Sequence, residues 1–323
     1  MSGSTIEFLE QLQAAHGGSI PFDRWMQEAL YHPQHGYYTA NIRDIGRGGD
    51  FTTWPVMRRN LSRAIARWAR SHQPRGKWHL IEIGAGTGAL GAGVWKALGW
   101  FGRPQFHIVD VSPVLRAAQR KVLPRGTRWH DSMADALAAC DGEAVIYSNE
   151  LVDAFPCRVF QKQDDRWREL SLSIGGSRWV EHWTEPATLP DSSSLTHPWP
   201  DGQRVETQEA FRQWYEAWRP LWKAGAMLVI DYGEEVAELY HRRLRGSLRA
   251  YAHHQRIEGP QAYIGFGKRD LTVDVNFTDL RQWLRAPGPA QTLAHFLSAQ
   301  GQPVELGDAG EAFKVLETAP PAL

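Results

Sequence analysis

Between residues 78 and 149 short apolar runs alternate with stretches at helical spacing. WHLIEI (78–83), FHIVDV (106–111) and AVIYSN (144–149) are long enough for buried strands and too short for helices. Residues 88–99 and 113–122 predict the intervening helices. Such alternation predicts a parallel sheet with helices on its faces. AMLVIDYG (226–233) and AFKVLE (312–317) return to the strand pattern. Upstream, residues 56–71 carry Leu61, Ile65 and Trp68 at helical spacing. Arg59, Arg63, Arg67 and Arg70 fall on another face of that helix, which reads as solvated, with a partner-binding stripe as the alternative.

Outside the alternating part the pattern changes. Residues 5–31 predict two helices divided by Gly17-Gly18 and Pro21, and residues 31–55, rich in Gly and Tyr, predict a long ordered loop. CRVFQ, RWRELSLSI and SRWVEHW predict antiparallel strands joined at Asp164-Asp165 and Gly175-Gly176. Residues 186–202 are turn-rich, and 205–223 predict one amphipathic helix bearing Phe211, Trp214, Trp218 and Trp222. The expected fold is α/β, a doubly wound sheet. N-terminal helices and a loop occupy 1–75 and a first core half 76–156. An inserted α+β segment follows at 157–224, and the rest of the core at 225–323.

Charge and composition narrow the function. The chain has 36 basic and 36 acidic residues, which gives no broad field for nucleic acid or an anionic membrane. Two cysteines, Cys140 and Cys157, exclude a disulfide framework and a cysteine zinc site. The pairs His32/His35 and His253/His254 lack companion ligands, so no metal is expected. No apolar run reaches the ~20 residues of a membrane span. The first residues read as neither a secretory signal nor an Arg-rich transit peptide, and a cytoplasmic protein is expected. Most of the 15 tryptophans are expected in the core.

The chemistry concentrates at two strand ends. Glu82-Ile83-Gly84-Ala85-Gly86-Thr87-Gly88 joins the first sheet strand to a helix, where glycines let backbone turn sharply and approach a ligand. Asp110 ends the next strand, 22 residues after Gly88, where an acid can accept hydrogen bonds from ribose hydroxyls. The loop alone fits either S-adenosylmethionine (SAM) or NAD. Glu82, placed to meet the cationic amino acid end of SAM, and the Gly-x-Gly-x-Gly spacing favour SAM. The second motif, Asn149-Glu150-Leu151-Val152-Asp153-Ala154-Phe155-Pro156, follows AVIYSN and borders the same crevice. Glu150 and Asp153, three apart, could share one side of a helical turn. An amide and two acids suit an amino or guanidino methyl acceptor, since carboxylates bind a guanidinium in a bidentate fork. A helix cap is the other reading of these acids. No G-x-S-x-G elbow occurs, which disfavours a serine hydrolase.

Nine blocks in order resemble the MidA-like family. They are IPFDRWMQEALYHPQHGYYT, IGRGGDFTT, EIGAGTGAL, VDVSPVLRAAQRKVL, SNELVDAFP, IDYGEE, GSLRAYAHH, RDLTVDVNF and FKVLE. The resemblance implies a class I methyltransferase fold with SAM as cofactor. It also implies protein-arginine methyltransferase activity, attributed to the family's mitochondrial member, with a respiratory-complex subunit as substrate. It assigns Gly84, Ala85, Gly86 and Gly88 to the SAM loop, Asp110 and Ser112 to the ribose side, and Asn149 to the position beside the methyl. Gly49, Asp50 and Phe51 map to the family's N-terminal loop, expected to cover the site. This chain departs after GDF, where Trp54-Pro55-Val56 loses an acid, and at Thr272–Phe277, where Asp274 stands for a histidine. A SAM-binding assembly factor with little catalysis, or a small-molecule methyltransferase, are the alternative functions.

Overall fold

The computed structural model describes residues 3–42, 55–74, 76–175, 178–252, 255–304 and 309–320. The chain folds into two compact units, each assembled from separate stretches. One comprises Met1–Phe51, Val152–Arg212 and Glu234–Asp279; the other comprises Thr52–Leu151, Gln213–Gly233 and Leu280–Leu323.

The second unit is built on a sheet whose strands are β1 (His79–Ile83), β2 (Gln105–Val109), β3 (Arg128–His130), β4 (Val145–Asn149), β5 (Met227–Glu234), β6 (Gln291–Thr292) and β7 (Phe313–Thr318). Their spatial order is β3-β2-β1-β4-β5-β7-β6. β1 pairs in parallel with β2 and β4, and β5 in parallel with β4, whereas β7 runs antiparallel to β5. The chain therefore winds outward from β1 to β3, then returns to β4 on the other side of β1. That reversal opens a crevice at the carboxyl ends of β1 and β4.

The apolar runs form strands because both faces are covered. Leu80, Phe106, Ile108, Val145 and Leu228 pack with helices α1 (Pro55–Ser71) and α2 (Ala89–Ala97) in one core. Helix α3 (Pro113–Val122) starts at Ser112, whose hydroxyl accepts the Leu115 N–H at 3.1 Å, with Pro113 in the first turn. A short helix, α4 (Met133–Ala138), follows β3. Strand β3 and α4 are absent from the sequence expectation. Arg-Trp-His at a sheet edge shows no apolar run, and six helical residues are too few to establish a period.

Three histidines cross the sheet edge in a ladder. His79 Nδ1 lies 2.9 Å from His107 Nε2, and His107 Nδ1 lies 2.9 Å from His130 Nε2. His107 is fully buried, and burial, then its two histidine neighbours and Arg128, push its pKa down to about 3. The ladder is thus a chain of neutral imidazoles, each contact pairing a donor with an acceptor.

The first unit holds two antiparallel sheets. In one, Arg166–Gly175 pairs with Ile20–Pro21, Arg158–Gln163 and Arg178–Thr184, and Arg158–Gln163 also pairs with Arg204–Thr207. In the other, Arg249–Ala252 lies between Gln255–Glu258 and Asp270–Thr272. The single helix expected over 205–223 is instead the strand Arg204–Thr207, the helix Glu209–Trp218 and a 3-10 turn, Arg219–Leu221. Glu206 explains the strand. It is buried, and its carboxylate accepts the Ser247 N–H at 2.9 Å, the Leu248 N–H at 3.2 Å and the Ser247 hydroxyl at 3.0 Å. Asp274, at the altered family position, pairs with Arg243 and Arg249.

Candidate functional site

The glycine loop follows β1. Gly84, Gly86 and Gly88 all take positive φ, at 67°, 52° and 81°. L-residues avoid this region, so each turn needs glycine. The loop is held by the Gly84 N–H to Val109 O (2.9 Å) and the Gly88 N–H to Ala85 O (2.7 Å). Ala85 is itself buried. A Cβ at Gly88 would lie 3.2 Å from Gln119 Cα on α3, so this glycine serves close packing. A Cβ at Gly86 would meet nothing within 4 Å. Gly86 backbone therefore faces open space, and α2 begins beyond it with no side-chain cap on its first N–H groups. That is a cradle for a polar ligand.

Asp110 closes one side. Its Oδ1 accepts the Ser112 N–H at 2.9 Å and its Oδ2 accepts the Gln119 amide at 2.7 Å. The same amide donates to Gly86 O at 2.9 Å, tying the acid to the glycine loop. Trp129 Nε1 donates to Gln119 Oε1 at 2.9 Å and fixes the amide's orientation. Arg116 donates to Asp110 O at 2.6 Å and pairs with Asp131 at 2.7 Å. Burial raises the Asp110 pKa, against the lowering effect of Ser112, Gln119 and Arg116. Each carboxylate oxygen keeps a second lone pair for a further donor. Val111 beside it is 59% exposed and offers an apolar wall for a base.

Glu82 lies beneath the loop. It is 2% exposed and directed at Gly91 of α2, where any Cβ would collide with Oε2. Burial pushes its carboxyl up to about 8; the Tyr147 hydroxyl opposes this and Asp110 adds to it. Neither Glu82 Oε2 nor the Tyr147 hydroxyl makes a hydrogen bond of ordinary geometry among the described residues.

At the end of β4, Asn149 donates its amide to Glu150 Oε1 at 2.9 Å. Glu150 sits at φ 52°, a left-handed conformation unusual for a glutamate. Two bonds hold it there. The Glu150 N–H reaches Ile230 O at 2.9 Å, and the Leu151 N–H reaches Asp231 Oδ2 at 3.1 Å. Asp231 is fully buried and also accepts the Tyr232 N–H at 2.9 Å. The next side chain, Leu151, lies 3.0 Å from where a Gly84 Cβ would be, so this turn abuts the glycine loop. Asp153 does not share a helical turn with Glu150. It belongs to a separate 3-10 turn, Val152–Ala154, in the first unit, where it is 3% exposed and its carbonyl accepts the Val273 N–H at 3.2 Å. Gly49 and Asp50 lie outside the described residues.

A family model described as "Putative S-adenosyl-L-methionine-dependent methyltransferase" matches residues 61–294, most of the chain. The chain belongs to this family. SAM is the cofactor of these methyltransferases. A Burkholderia thailandensis protein solved with S-adenosyl-homocysteine bound has the same fold, with a TM-score of 0.81 at 28% identity, covering 98% of this chain and 94% of that one. A second structure from that organism gives a TM-score of 0.79 at 27% identity, covering 99% and 94%. The class I methyltransferase fold is thus the one expected, and the choice left open between SAM and NAD falls to SAM.

The chain is also similar to "Protein arginine methyltransferase NDUFAF7 homolog, mitochondrial" of Drosophila melanogaster, at 28% identity over 82% of this chain and 66% of that protein. The Homo sapiens protein of corresponding name is 25% identical, over 82% and 65%. The chain spans about two thirds of the length of these curated relatives. Their names correct the cytoplasmic expectation, since both are mitochondrial proteins by name. That expectation rested on the composition of the first residues, which carries no weight in a chain spanning only part of its relatives.

Gln119 and Asp231 lie in motifs that resemble the family, and Gly91 directly follows one, but the sequence gives them no role at the site. Asp231 follows an apolar run, as Asp110 does, and that shared position was the available signal.

Proposed function

We propose that this methyltransferase transfers a methyl group to a guanidino nitrogen of arginine in a protein, with Glu150 and Asn149 at the acceptor. The observation that carries the reading is Glu150, held in a left-handed conformation at the switch point by the Ile230 carbonyl and the Asp231 carboxylate. Strain of this kind persists where surrounding bonds over-determine it, and it clusters at functional sites. SAM supplies a sulfonium-bound methyl. The guanidino nitrogen forms the new C–N bond as the C–S bond breaks, and the positive charge passes to the acceptor. Glu150 binds the guanidinium through charge-assisted hydrogen bonds and takes the proton the nitrogen releases. Asn149 orients the Glu150 carboxylate through their 2.9 Å hydrogen bond. Asp110 receives the ribose, and Gly86 allows the close approach of the cofactor. Asp153 is proposed as a second acid for the acceptor. The names of the relatives support an arginine acceptor and a protein substrate; a respiratory-complex subunit is the substrate the family resemblance suggests.

The test is incubation with labelled SAM and host lysate, followed by mass spectrometry of the labelled fraction. Methylarginine in a protein, lost in Glu150→Gln with S-adenosyl-homocysteine affinity unchanged, supports the reading. Label in small molecules alone, or in no fraction at all, refutes it in favour of a small-molecule methyltransferase or a binding factor.

A further inference from the structure

The overall neutrality of the chain hides a strong local imbalance. Residues 55–109 contain nine lysines and arginines and a single acid, Glu82, which is buried. The exposed face of α1 carries Arg59, Arg63 and Arg67, and Arg70 continues it one turn on. Spacings of four, four and three keep all four on one stripe.

That stripe ends on the loop after α2. Arg70 donates to Leu98 O and Phe101 O at 2.6 Å each and to Gly102 O at 2.8 Å. Trp78 Nε1 adds a bond to Gly102 O at 2.9 Å. The Arg103 guanidinium lies 4.6 Å from the Trp95 ring centroid and 4.9 Å from that of Trp100. The loop is thus fixed through its backbone, yet its tip presents Trp100 and Phe101 at 86% and 91% exposure. Two adjacent aromatics fully in water are costly, and the loop is built to keep them there. The nearby acid Glu317 is taken by Trp68 Nε1 at 2.8 Å and by His72 at 2.9 Å.

We propose that the Trp100–Phe101 tip and the arginine stripe form a peripheral contact with an anionic phospholipid surface. Tryptophan and phenylalanine favour the headgroup boundary, and basic side chains flanking them attract anionic lipid. A bilayer accepts a protruding tip without a matching pocket. Nucleic acid fits less well, because Arg103 already covers a face of the Trp100 ring that a base would stack on. The contact is peripheral: among the described residues no helix is long and apolar enough to cross a membrane.

Co-sedimentation of the full chain with phosphatidylcholine–phosphatidylglycerol vesicles, against phosphatidylcholine alone, tests this. The wild type binds the mixed vesicles at low salt, is released by added salt, and ignores the neutral ones. W100S/F101S lowers the partition coefficient at least about tenfold, and R63A/R67A about thirtyfold at about 1 kcal/mol for each arginine. Retained S-adenosyl-homocysteine binding shows that the variants are folded. The proposal is overturned if the wild type stays in solution with mixed vesicles, or if W100S/F101S binds them as the wild type does. It is also overturned if vesicles are ignored while W100S/F101S turns a dimer into a monomer, or abolishes binding to single-stranded DNA. Those outcomes assign the surface to a second copy or to nucleic acid.

Discussion

Replacing His107 by glutamine should change how stability depends on pH. In the unfolded chain a histidine titrates near 6.5, whereas folded His107 sits at about 3. Its folded value is depressed, so below 6.5 the unfolded chain binds the extra proton and the native state loses ground until about pH 3. Between about pH 7 and about pH 5 the loss from this side chain is about 2 kcal/mol, at about 1.4 kcal/mol per pKa unit. Any folded value below about 4 gives nearly the same figure, because His107 then stays neutral throughout that interval. His79 and His130, also shifted down by burial first, add to the loss. Glu82 acts in the opposite direction. Its carboxyl is raised from 4.5 to about 8, so it gains a proton in the native state first and stabilises the fold as pH falls. Over the same interval that gain is about 2–3 kcal/mol. The wild-type profile is therefore a poor witness, and the difference between two proteins is needed. Urea unfolding followed by tryptophan fluorescence, at both pH values, gives it. His107→Gln destabilises at neutral pH, because its amide replaces two ladder contacts imperfectly, but that deficit should shrink by about 2 kcal/mol at the lower pH. Parallel profiles, with the deficit unchanged within about 0.5 kcal/mol, would refute a neutral buried ladder.

Two further substitutions probe the site. Gly86→Ala places a methyl in open space at φ 52°, so the melting curve should register only about 1 kcal/mol of backbone strain while S-adenosyl-homocysteine affinity, read by calorimetry, falls at least about tenfold. Equal losses in both would show that Gly86 serves folding rather than the cofactor. Asp231→Asn turns one acceptor toward the Leu151 N–H into a donor, so methyl transfer should drop at least about tenfold with S-adenosyl-homocysteine affinity intact; unchanged turnover would remove Asp231 from the positioning of Glu150.

The parts of the fold legible in the sequence are those where one element carries its own signal. Strands β1, β2, β4, β5 and β7 read as apolar runs because helices and neighbouring strands bury them on every side. The glycines read clearly because only glycine tolerates those turns. Signals that depend on distant residues were lost. Arg204–Thr207 resembles helix because Glu206 looks solvent-facing, whereas Ser247 and Leu248, about forty residues on, hold its buried carboxylate. The spacing of Glu150 and Asp153 suggested one helical turn, whereas the Asp231 and Ile230 contacts turn the backbone away from helix at residue 150. Gln119 lies on an ordinary helix; its importance exists only once Gly86, Asp110 and Trp129 converge on it.

The strand order also sets a timetable for synthesis. Ile146 of β4 pairs with Met227 of β5, and Met227 pairs with Thr318 of β7. Between β4 and β5 the ribosome must make residues 150–226, which include the Val152–Arg212 stretch of the first unit. At roughly 5–20 residues per second that is a delay of several seconds. During it, Val145, Ile146 and Tyr147, completely buried in the finished sheet, form an apolar edge with no strand beside it on that flank. A second delay follows before the last strand emerges to cover β5. The nascent chain is thus most prone to aggregate midway through translation, and any fragment ending ahead of Met227 keeps that edge permanently.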